Sequence, residues 1–273
     1  MLAEQFAAVA MFADTLKFEG AVALQSQGEG PLVRSLAECR NKSDLRGIAH
    51  LDEEFLAGDN DTPSADDHDL RNWLGGGQLA LSLLPDDRNA PPHQGLIEQV
   101  HASLAANLEA YFQQSEQLPT KLFFGHTTQS GVPSVTALLL QRLPNEDTAT
   151  DVAIGAADDA WHTICVLADT LEPEELATIA PNRLLNRLFN ELPCRIYEPR
   201  ELQFKCTCNR QKTDRTLRML PDGDLESLLL EQNGEITVDC DFCGARYTYD
   251  EVDIAALNTS DSATSAFDGD QLH

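Results

Sequence analysis

Two short stretches, FKCTC at 204–208 and CDFCG at 240–244, decide how the C-terminal part of this chain folds. Each stretch carries two closely spaced cysteines, and together they supply Cys206, Cys208, Cys240 and Cys243. A tetrahedral four-thiolate zinc site needs two such pairs, because each pair forms one turn and the intervening chain brings the turns together. Gly244 supplies the backbone freedom that the second turn requires. The spacing therefore predicts one Zn²⁺ per chain, with these cysteines as ligands.

Positive charge is concentrated around the first pair, although the chain carries a formal net charge of −26. The basic residues are Lys205, Arg210, Lys212, Arg215 and Arg218. Nearby cations offset the negative charge of four thiolates and keep them deprotonated, and thiolates are the form that oxidants attack. Most four-cysteine zinc sites are closed and inert. The C-x-C spacing, unusual beside the C-x-x-C pairs of common zinc ribbons, and these basic residues favour a redox switch instead.

The energetics of such a switch are plausible. Structural zinc contributes on the order of 10 to 16 kcal/mol of apparent binding free energy, whereas whole domains are stable by only about 5 to 15 kcal/mol. Oxidation of the thiolates to disulfides ejects the metal. We therefore expect the small zinc module to unfold when its cysteines are oxidised.

Composition limits the other classes of function. The 273 residues include 45 acidic and 19 basic side chains, a balance that opposes nucleic acid and anionic lipid over most of the surface. Seven cysteines are an odd number and too few for a disulfide framework. Neither end shows a signal peptide or a long apolar run, so the sequence predicts a cytoplasmic protein with no nucleic-acid or membrane partner.

The N-terminal part, 1–147, has the pattern of an α+β domain with an antiparallel sheet. In the strand candidate QLALSLLP, the residues Leu79, Leu81 and Leu83 share one face. Further helices and strands are expected at LAEQFAAVAMFAD (2–14), LKFEGAVALQSQGEG (16–30), SLAANLEAYFQQSEQL (103–118), KLFFGH (121–126) and VTALLLQRL (135–143). The acidic stretch 58–69, broken by Pro63, predicts a surface loop.

Three further segments follow. A helical linker is expected at 148–200, with apolar stripes through Trp161 and Leu184 and with Pro173 and Pro181 in first helical turns. The pattern does not distinguish an ordinary helical subdomain from a metastable linker. The zinc-binding domain is expected at 201–257, and a disordered acidic tail at 258–273.

Residues outside the zinc motif give no sign of catalysis. Cys39, Cys165 and Cys194 have no partner at ligand spacing, and Cys165 lies on an apolar helix stripe where a buried hydrophobic role is favoured. The seven histidines form no i, i+4 pair, so structural or surface roles are expected for His50, His93, His101 and His126. No nucleotide-binding or hydrolase motif is present. The sequence therefore does not predict an enzyme.

The motifs together resemble the bacterial redox-regulated chaperone heat shock protein 33 family, the 33-kilodalton chaperonins. The likeness rests on FKCTC and CDFCG together with LKFEG (16–20), DLRGIA (44–49) and YFQQSEQLPTKLF (111–123). The resemblance implies an ATP-independent holdase for unfolded or partly folded client proteins, inactive when reduced and zinc-bound. It also implies activation by peroxide with heat or by hypochlorous acid, with disulfides Cys240–Cys243 first and Cys206–Cys208 second. Zinc release, linker unfolding and an often dimeric active form accompany activation.

The sequence differs from the family at its N-terminus, and it leaves two other functions open. The likeness starts inside a helix, at LAEQFAAVAMFADTLKFEG, so the strand and helix expected ahead of it are missing, through a misassigned start or a truncation. A zinc-ribbon-like adaptor without redox control is the main alternative, and such an adaptor should retain its metal under peroxide. A thiol-disulfide oxidoreductase ranks third, because no βαβ pattern surrounds Cys240.

Overall fold

The computed structural model describes the residues 1–15, 19–57, 63–64, 67–87, 89–129, 131–143, 151–221 and 223–264. The helices are α1 (Leu2–Thr15), α2 (Glu53–Ala57), α3 (Leu70–Leu74), α4 (Leu104–Gln114), α5 (Asp151–Ala168), α6 (Pro173–Thr178), α7 (Pro181–Phe189), α8 (Arg210–Leu217), α9 (Asp224–Glu231) and α10 (Glu251–Thr264). The strands are β1 (Gly20–Gly28), β2 (Leu32–Arg40), β3 (Asp44–Leu51), β4 (Gly77–Pro85), β5 (His93–Glu98), β6 (Thr120–Gln129), β7 (Val132–Gln141), β8 (Gln203–Phe204), β9 (Glu235–Asp239) and β10 (Arg246–Asp250).

The chain divides into two compact units, Met1–Phe204 and Lys205–His273. The first unit is built on a six-stranded sheet in the order β5-β4-β1-β2-β3-β8. All its pairings are antiparallel except the short one between β3 and β8. In the middle of the sheet, Leu24 lies opposite Ala37 on β2 and Leu81 on β4, and all three side chains are buried. The α+β class with an antiparallel sheet, predicted from sequence, is confirmed.

Helices α1 and α4 contribute to the core of this unit. Val9 and Phe12 of α1 are fully buried in the cluster that contains the inward side chains of β1 and β4. Leu108 and Phe112 of α4 belong to the same cluster, and the rings of Phe12 and Phe112 lie 4.9 Å apart. Burying such side chains contributes about 1.5 to 3 kcal/mol each. The periodic leucines and phenylalanines of both helices therefore fix them to the sheet.

The hairpin of β6 and β7 is a separate two-stranded sheet with apolar side chains on both faces. One face places Leu122, Phe124 and Leu139 against the main core. The opposite face places its own side chains in a second cluster, formed with α5, α6 and α7: Phe123, Leu138 and Leu140. Successive side chains of a strand point to opposite faces, so the runs LFF and LLL supply both surfaces.

The helices α5, α6 and α7 cover the second face of this hairpin. Pro173 and Pro181 occupy the first turns of α6 and α7, as predicted. The buried members of their cluster are Ala168, Leu171, Leu176, Leu184, Leu188 and Phe189. A methyl group added at Gly125 on β6 would lie 2.5 Å from the Pro173 carbonyl oxygen, so α6 packs directly on the strand backbone. The helical part of the expected linker thus belongs to the first unit.

Several expectations differ from the structure or lie outside it. Strands β2 and β3 were not predicted; they are joined by a turn in which Asn41 and Lys42 have φ values of 53° and 61°. Most of the acidic stretch 58–69, and 16–18 of the LKFEG motif, lie outside the described residues. The predicted disordered tail begins at 258, but α10 continues to Thr264, since a helix already formed by an apolar turn extends at little cost. The remaining residues, 265–273, are not described.

The second unit has a small core of its own. Strands β9 and β10 pair antiparallel, with Val238 opposite Tyr247. The buried side chains come from both strands and from α8, α9 and α10: Leu217, Leu225, Leu229, Ile236, Tyr249, Ile254 and Leu257. Helices α8 and α9 lie between the two cysteine pairs and were not predicted. Among the described residues of the whole chain, no helix combines the length and apolarity needed to cross a bilayer.

Candidate metal centre

The first cysteine pair is held by the start of α8. Asn209 caps this helix, and its side chain accepts a hydrogen bond from the Lys212 backbone N–H at 2.9 Å. The Lys212 ammonium group reaches back and donates to the Thr207 carbonyl at 2.7 Å. Thr207 is the residue between Cys206 and Cys208. The cap and the lysine therefore fix the backbone from which both thiols project.

The second pair lies in the turn that joins β9 to β10. The backbone N–H of Gly244 donates to the Cys240 carbonyl at 2.7 Å, and the N–H of Cys240 donates to the Ala245 carbonyl at 2.8 Å. Gly244 has a φ of 70°, in the left-handed region that glycine adopts at no steric cost. The predicted role of this glycine is thereby confirmed. The turn holds Cys240 and Cys243 on one side of the hairpin end.

The four sulfur atoms converge on one point. The Sγ atoms of Cys206 and Cys240 are 3.7 Å apart, those of Cys208 and Cys243 are 3.4 Å apart, and all four lie within 4.8 Å of one another. A tetrahedral zinc ion with Zn–S bonds of about 2.3 Å requires sulfurs separated by roughly 3.8 Å. The arrangement can therefore hold one tetrahedral metal ion. Both of these measured separations join sulfurs of different pairs.

The thiols lie in unequal surroundings. The Tyr247 hydroxyl donates to Cys208 Sγ at 3.2 Å, and this hydrogen bond, followed by one from Cys243, lowers the pKa of the Cys208 thiol to about 7. Burial instead raises the pKa of Cys206. Cys243 is exposed. Cys208 thus has more thiolate character near neutral pH than Cys206, and the exposed Cys243 shows that a dissolved oxidant can reach the cysteine group. Tyr247 was not identified from sequence, since nothing in RYTYD indicates a bond to sulfur.

The basic residues near the first pair have different roles. Arg210 forms an ion pair with Asp253 at 2.6 Å and lies over the Tyr249 ring at 4.3 Å. Its guanidinium group also donates to the Thr248 carbonyl at 2.9 Å. Arg210 therefore fastens α8 to the hairpin and to α10, which the charge pattern did not predict. Lys212 is a cation held beside the first pair.

The remaining cysteines lie apart from this group. Cys39 is fully buried on β2, and burial raises the pKa of its thiol to about 11. Cys165 is half-buried on the apolar stripe of α5, and burial raises its pKa as well. Cys194 is exposed, and its Sγ lies 3.8 Å from the Phe189 carbonyl oxygen. These surroundings disfavour the thiolate form of Cys39 and Cys165.

Comparisons with known proteins agree with this organisation. The family described as Hsp33 protein matches residues 1–250. A 33 kDa chaperonin of Serratia proteamaculans is 36% identical over 273 residues, which is 100% of this chain and 85% of the relative. Another, from Salmonella typhi, is 36% identical over 262 residues, covering 96% of this chain and 83% of the relative.

A solved structure gives the same fold. The crystal structure of the 33 kDa chaperonin from Thermotoga maritima superposes with a TM-score of 0.77 at 22% identity, covering 96% of this chain and 85% of the other. The relatives are named as chaperonins rather than as enzymes. This chain belongs to the Hsp33 protein family.

Proposed function

We propose that this chain is a redox-regulated, ATP-independent holdase that protects unfolding proteins from aggregation during oxidative stress in the bacterial cytoplasm. The observation that carries the proposal is the convergence of four thiols at the spacing of a tetrahedral metal site. Family membership supports a chaperone role, because the similar proteins are named chaperonins. The zinc-bound, reduced form is the inactive one.

The proposed metal is a single Zn²⁺ bound by Cys206, Cys208, Cys240 and Cys243. An all-sulfur donor set suits zinc, and the metal would join the turn before α8 to the β9–β10 hairpin. A Cys240→Ser variant is expected to lose most of its zinc, whereas Cys39→Ser, which removes a buried thiol elsewhere, should keep one equivalent. Metal analysis of the reduced proteins measures both. Equal zinc contents in the two variants would refute the assignment.

Oxidation releases the metal. Two cysteines give up two electrons and form one disulfide, while one peroxide molecule takes up the electrons and two protons and becomes two water molecules. We propose the pairs Cys240–Cys243 and Cys206–Cys208, as the family resemblance implies. Cys240 and Cys243 close first, because two intervening residues let the β-carbons approach to the roughly 3.8 Å that a disulfide favours.

Loss of zinc unfolds the second unit. Its core comprises the small set of side chains around Ile236 and Tyr249, and domains of about 60 residues are marginal without metals or disulfides. Structural zinc contributes on the order of 10 to 16 kcal/mol, comparable to the whole stability of a domain. The small core alone does not replace that contribution.

The client-binding surface lies beneath the helices α5, α6 and α7. Helices α6 and α7 have only 6 and 9 residues, and all three helices pack in one cluster with the second face of the β6–β7 hairpin, on which the short ones rely for stability. If they detach, Phe123, Leu138 and Leu140 become exposed together with the helical leucines. The polypeptide leading into the zinc unit is attached by the two-residue strand β8, where Gln203 N–H donates to the Ser43 carbonyl and the Gln203 side-chain amide donates to Asp44. It is also attached by the ion pair between Arg200 and Asp14, two half-exposed side chains. Exposed ion pairs stabilise little, so unfolding of the second unit acts on a segment with few attachments.

A large exposed apolar patch binds partly unfolded proteins, and it also favours self-association. The proposed partners are accordingly unfolded or partly folded clients, with a homodimer as the oxidised form. The acidic surface disfavours nucleic acid and anionic membranes.

Light scattering of a heat-denatured client tests the proposal. The peroxide-treated chain should suppress aggregation, the reduced zinc-bound chain should not, and reduction of the oxidised chain should reverse the effect. A Cys165→Ser variant serves as the matched control and should behave like the unaltered chain. Equal suppression in both redox states would refute redox control, and retention of zinc under peroxide would favour the zinc-ribbon-like adaptor.

A further inference from the structure

A second group of metal-ligating side chains lies in the first unit, far from any cysteine pair in sequence. Glu4 comes from the first turn of α1, His68 from the turn before α3, and His126 from β6. His126 Nε2 lies 2.9 Å from Glu4 Oε1, and His68 Nδ1 lies 3.7 Å from the same oxygen. One ligand atom from each residue lies within 4.8 Å of the others. Three separate elements thus direct one carboxylate and two imidazoles to one place.

The Glu4 carboxylate is buried, with a side chain only 6% exposed. A carboxylate removed from water is costly unless a cation or several donors stabilise it. Burial raises the pKa of the Glu4 carboxyl, while the positive charges of the Met1 ammonium group and of His68 lower it. The imidazoles of His68 and His126 both lie within 4 Å of Glu4 Oε1. Imidazoles are metal ligands in their neutral form. The buried carboxylate is therefore surrounded by groups suited to share a cation with it.

The scaffold around the group is held in place. On one side, the Asp67 carbonyl accepts a hydrogen bond from Trp73 Nε1 at 2.7 Å. On the other side, Asp69 caps α3 by accepting from the Arg71 backbone N–H at 2.9 Å. These bonds fix the chain on both sides of His68. Pre-positioned ligands lose little freedom on binding a metal.

The remaining ligand is equally fixed. His126 lies opposite Val135 in the β6–β7 ladder, so its position is set by strand pairing. Its ring stacks on the His68 ring with centroids 4.0 Å apart and an interplanar angle of 19°. The two imidazole rings are thereby held face to face next to Glu4. The His68 side chain is 42% exposed, which leaves a path from solvent.

We propose that Glu4, His68 and His126 form a second metal site, for a borderline divalent cation such as Zn²⁺. Two imidazole nitrogens and one carboxylate oxygen suit such cations, and sites with three protein ligands keep a fourth position for water or another ligand. The metal would connect α1 and the turn before α3 to the β6–β7 hairpin. Its donors are nitrogen and oxygen, so its occupancy is independent of cysteine oxidation.

Cobalt titration tests this site. Co²⁺ is added to the untagged, reduced full chain whose cysteine site is already loaded with zinc. Co²⁺ bound by nitrogen and oxygen gives weak visible bands without the intense near-ultraviolet absorption of Co²⁺ bound by thiolates. The unaltered chain should bind one further equivalent with the thiolate-free spectrum. Binding should also raise the melting temperature, because a ligand that binds only the folded state stabilises it.

Three variants test where the added Co²⁺ binds. His68→Gln and His126→Gln should each lower the affinity for the added Co²⁺. The loss should exceed the roughly 10- to 100-fold that removal of a residue hydrogen-bonded to a ligand costs at metal sites. His162→Gln, which removes an exposed histidine on α5, should bind Co²⁺ as the unaltered chain does. Because the cysteine site lies in the other unit, the far-ultraviolet circular dichroism of each variant without Co²⁺ reports whether the first unit is folded, and His68→Gln alters an exposed side chain if His126→Gln is unstable. No further equivalent, a thiolate-type spectrum, or unchanged binding by both histidine variants would overturn the proposal.

Discussion

Replacing Gly125 by alanine should activate the chain without any oxidant. Gly125 is buried on β6 beneath α6. The added methyl carbon would lie 2.5 Å from the Pro173 carbonyl oxygen, 2.8 Å from the Ala177 backbone nitrogen and 3.0 Å from Leu176 Cβ. Two of these three atoms belong to the helix backbone, so no side-chain rotation relieves the crowding. The helix itself must move away from the strand.

The size of the effect follows from the cost of overpacking. Adding a methyl group to a packed site typically costs about 1 to 3 kcal/mol, which corresponds to a change of about 5- to 150-fold in the equilibrium between the attached and detached helices. Detachment of α6 uncovers Phe123 and Leu138 on the hairpin. We therefore expect the reduced, zinc-bound Gly125→Ala chain to suppress client aggregation partly or fully.

A matched substitution separates this effect from general destabilisation. At Gly47 on β3, an added methyl carbon would lie 2.5 Å from Phe6 Cζ and 2.6 Å from the Leu36 carbonyl oxygen, away from α6. Gly47→Ala should lower the melting temperature but leave the reduced chain inactive in the light-scattering assay. If reduced Gly125→Ala retains zinc and is as inactive as the unaltered chain, or if Gly47→Ala is equally active, the covering role of α6 is refuted.

Three further predictions concern the switch. Tyr247→Phe removes the hydrogen bond that lowers the pKa of Cys208, so the pKa of this thiol should rise toward its ordinary value and protons should displace the metal at a higher pH. Zinc release to a chelator, followed as the pH falls, measures this, and coincident curves for variant and unaltered chain would contradict it. Hydrogen exchange should show that α5, α6 and α7 lose protection on oxidation while β1 and β4 remain protected; equal protection of the helices in both states would exclude their detachment. Mass mapping during peroxide treatment should find the Cys240–Cys243 disulfide before Cys206–Cys208, and the reverse order would show that spacing does not control closure.

The parts of the fold that the sequence predicts are those with a strong local signal. Leu79 and Leu81 alternate along β4, and Pro173 marks the first turn of α6. Strands β2 and β3 were missed, because charged residues interrupt their alternation and their turn uses Asn41 and Lys42 rather than glycine. Glu38 illustrates the difficulty: it is buried on β2, and its carboxylate is paired with Arg46 across the ladder at 2.7 Å.

Of the two candidate metal sites, only the one with a local sequence signal could be predicted. The four cysteines are recognisable because each pair is local in sequence and the residue type is uncommon. The group of Glu4, His68 and His126 is not, since its members come from three elements and His126 is 122 positions from Glu4. Only strand pairing and helix packing bring them together. The same reason kept the contact between Gly125 and Pro173 from being predicted.

The β6–β7 hairpin, with apolar side chains on both faces, also affects the protein during its synthesis. Its strands leave the ribosome before the helices that cover their second face, since β6 and β7 precede α5, α6 and α7 in the chain. At synthesis rates of about 5 to 20 residues per second, Phe123, Leu138 and Leu140 remain uncovered for some seconds in every newly made molecule. An uncovered apolar ribbon associates readily with other nascent chains. Each molecule is therefore itself prone to aggregate for a short interval during its synthesis.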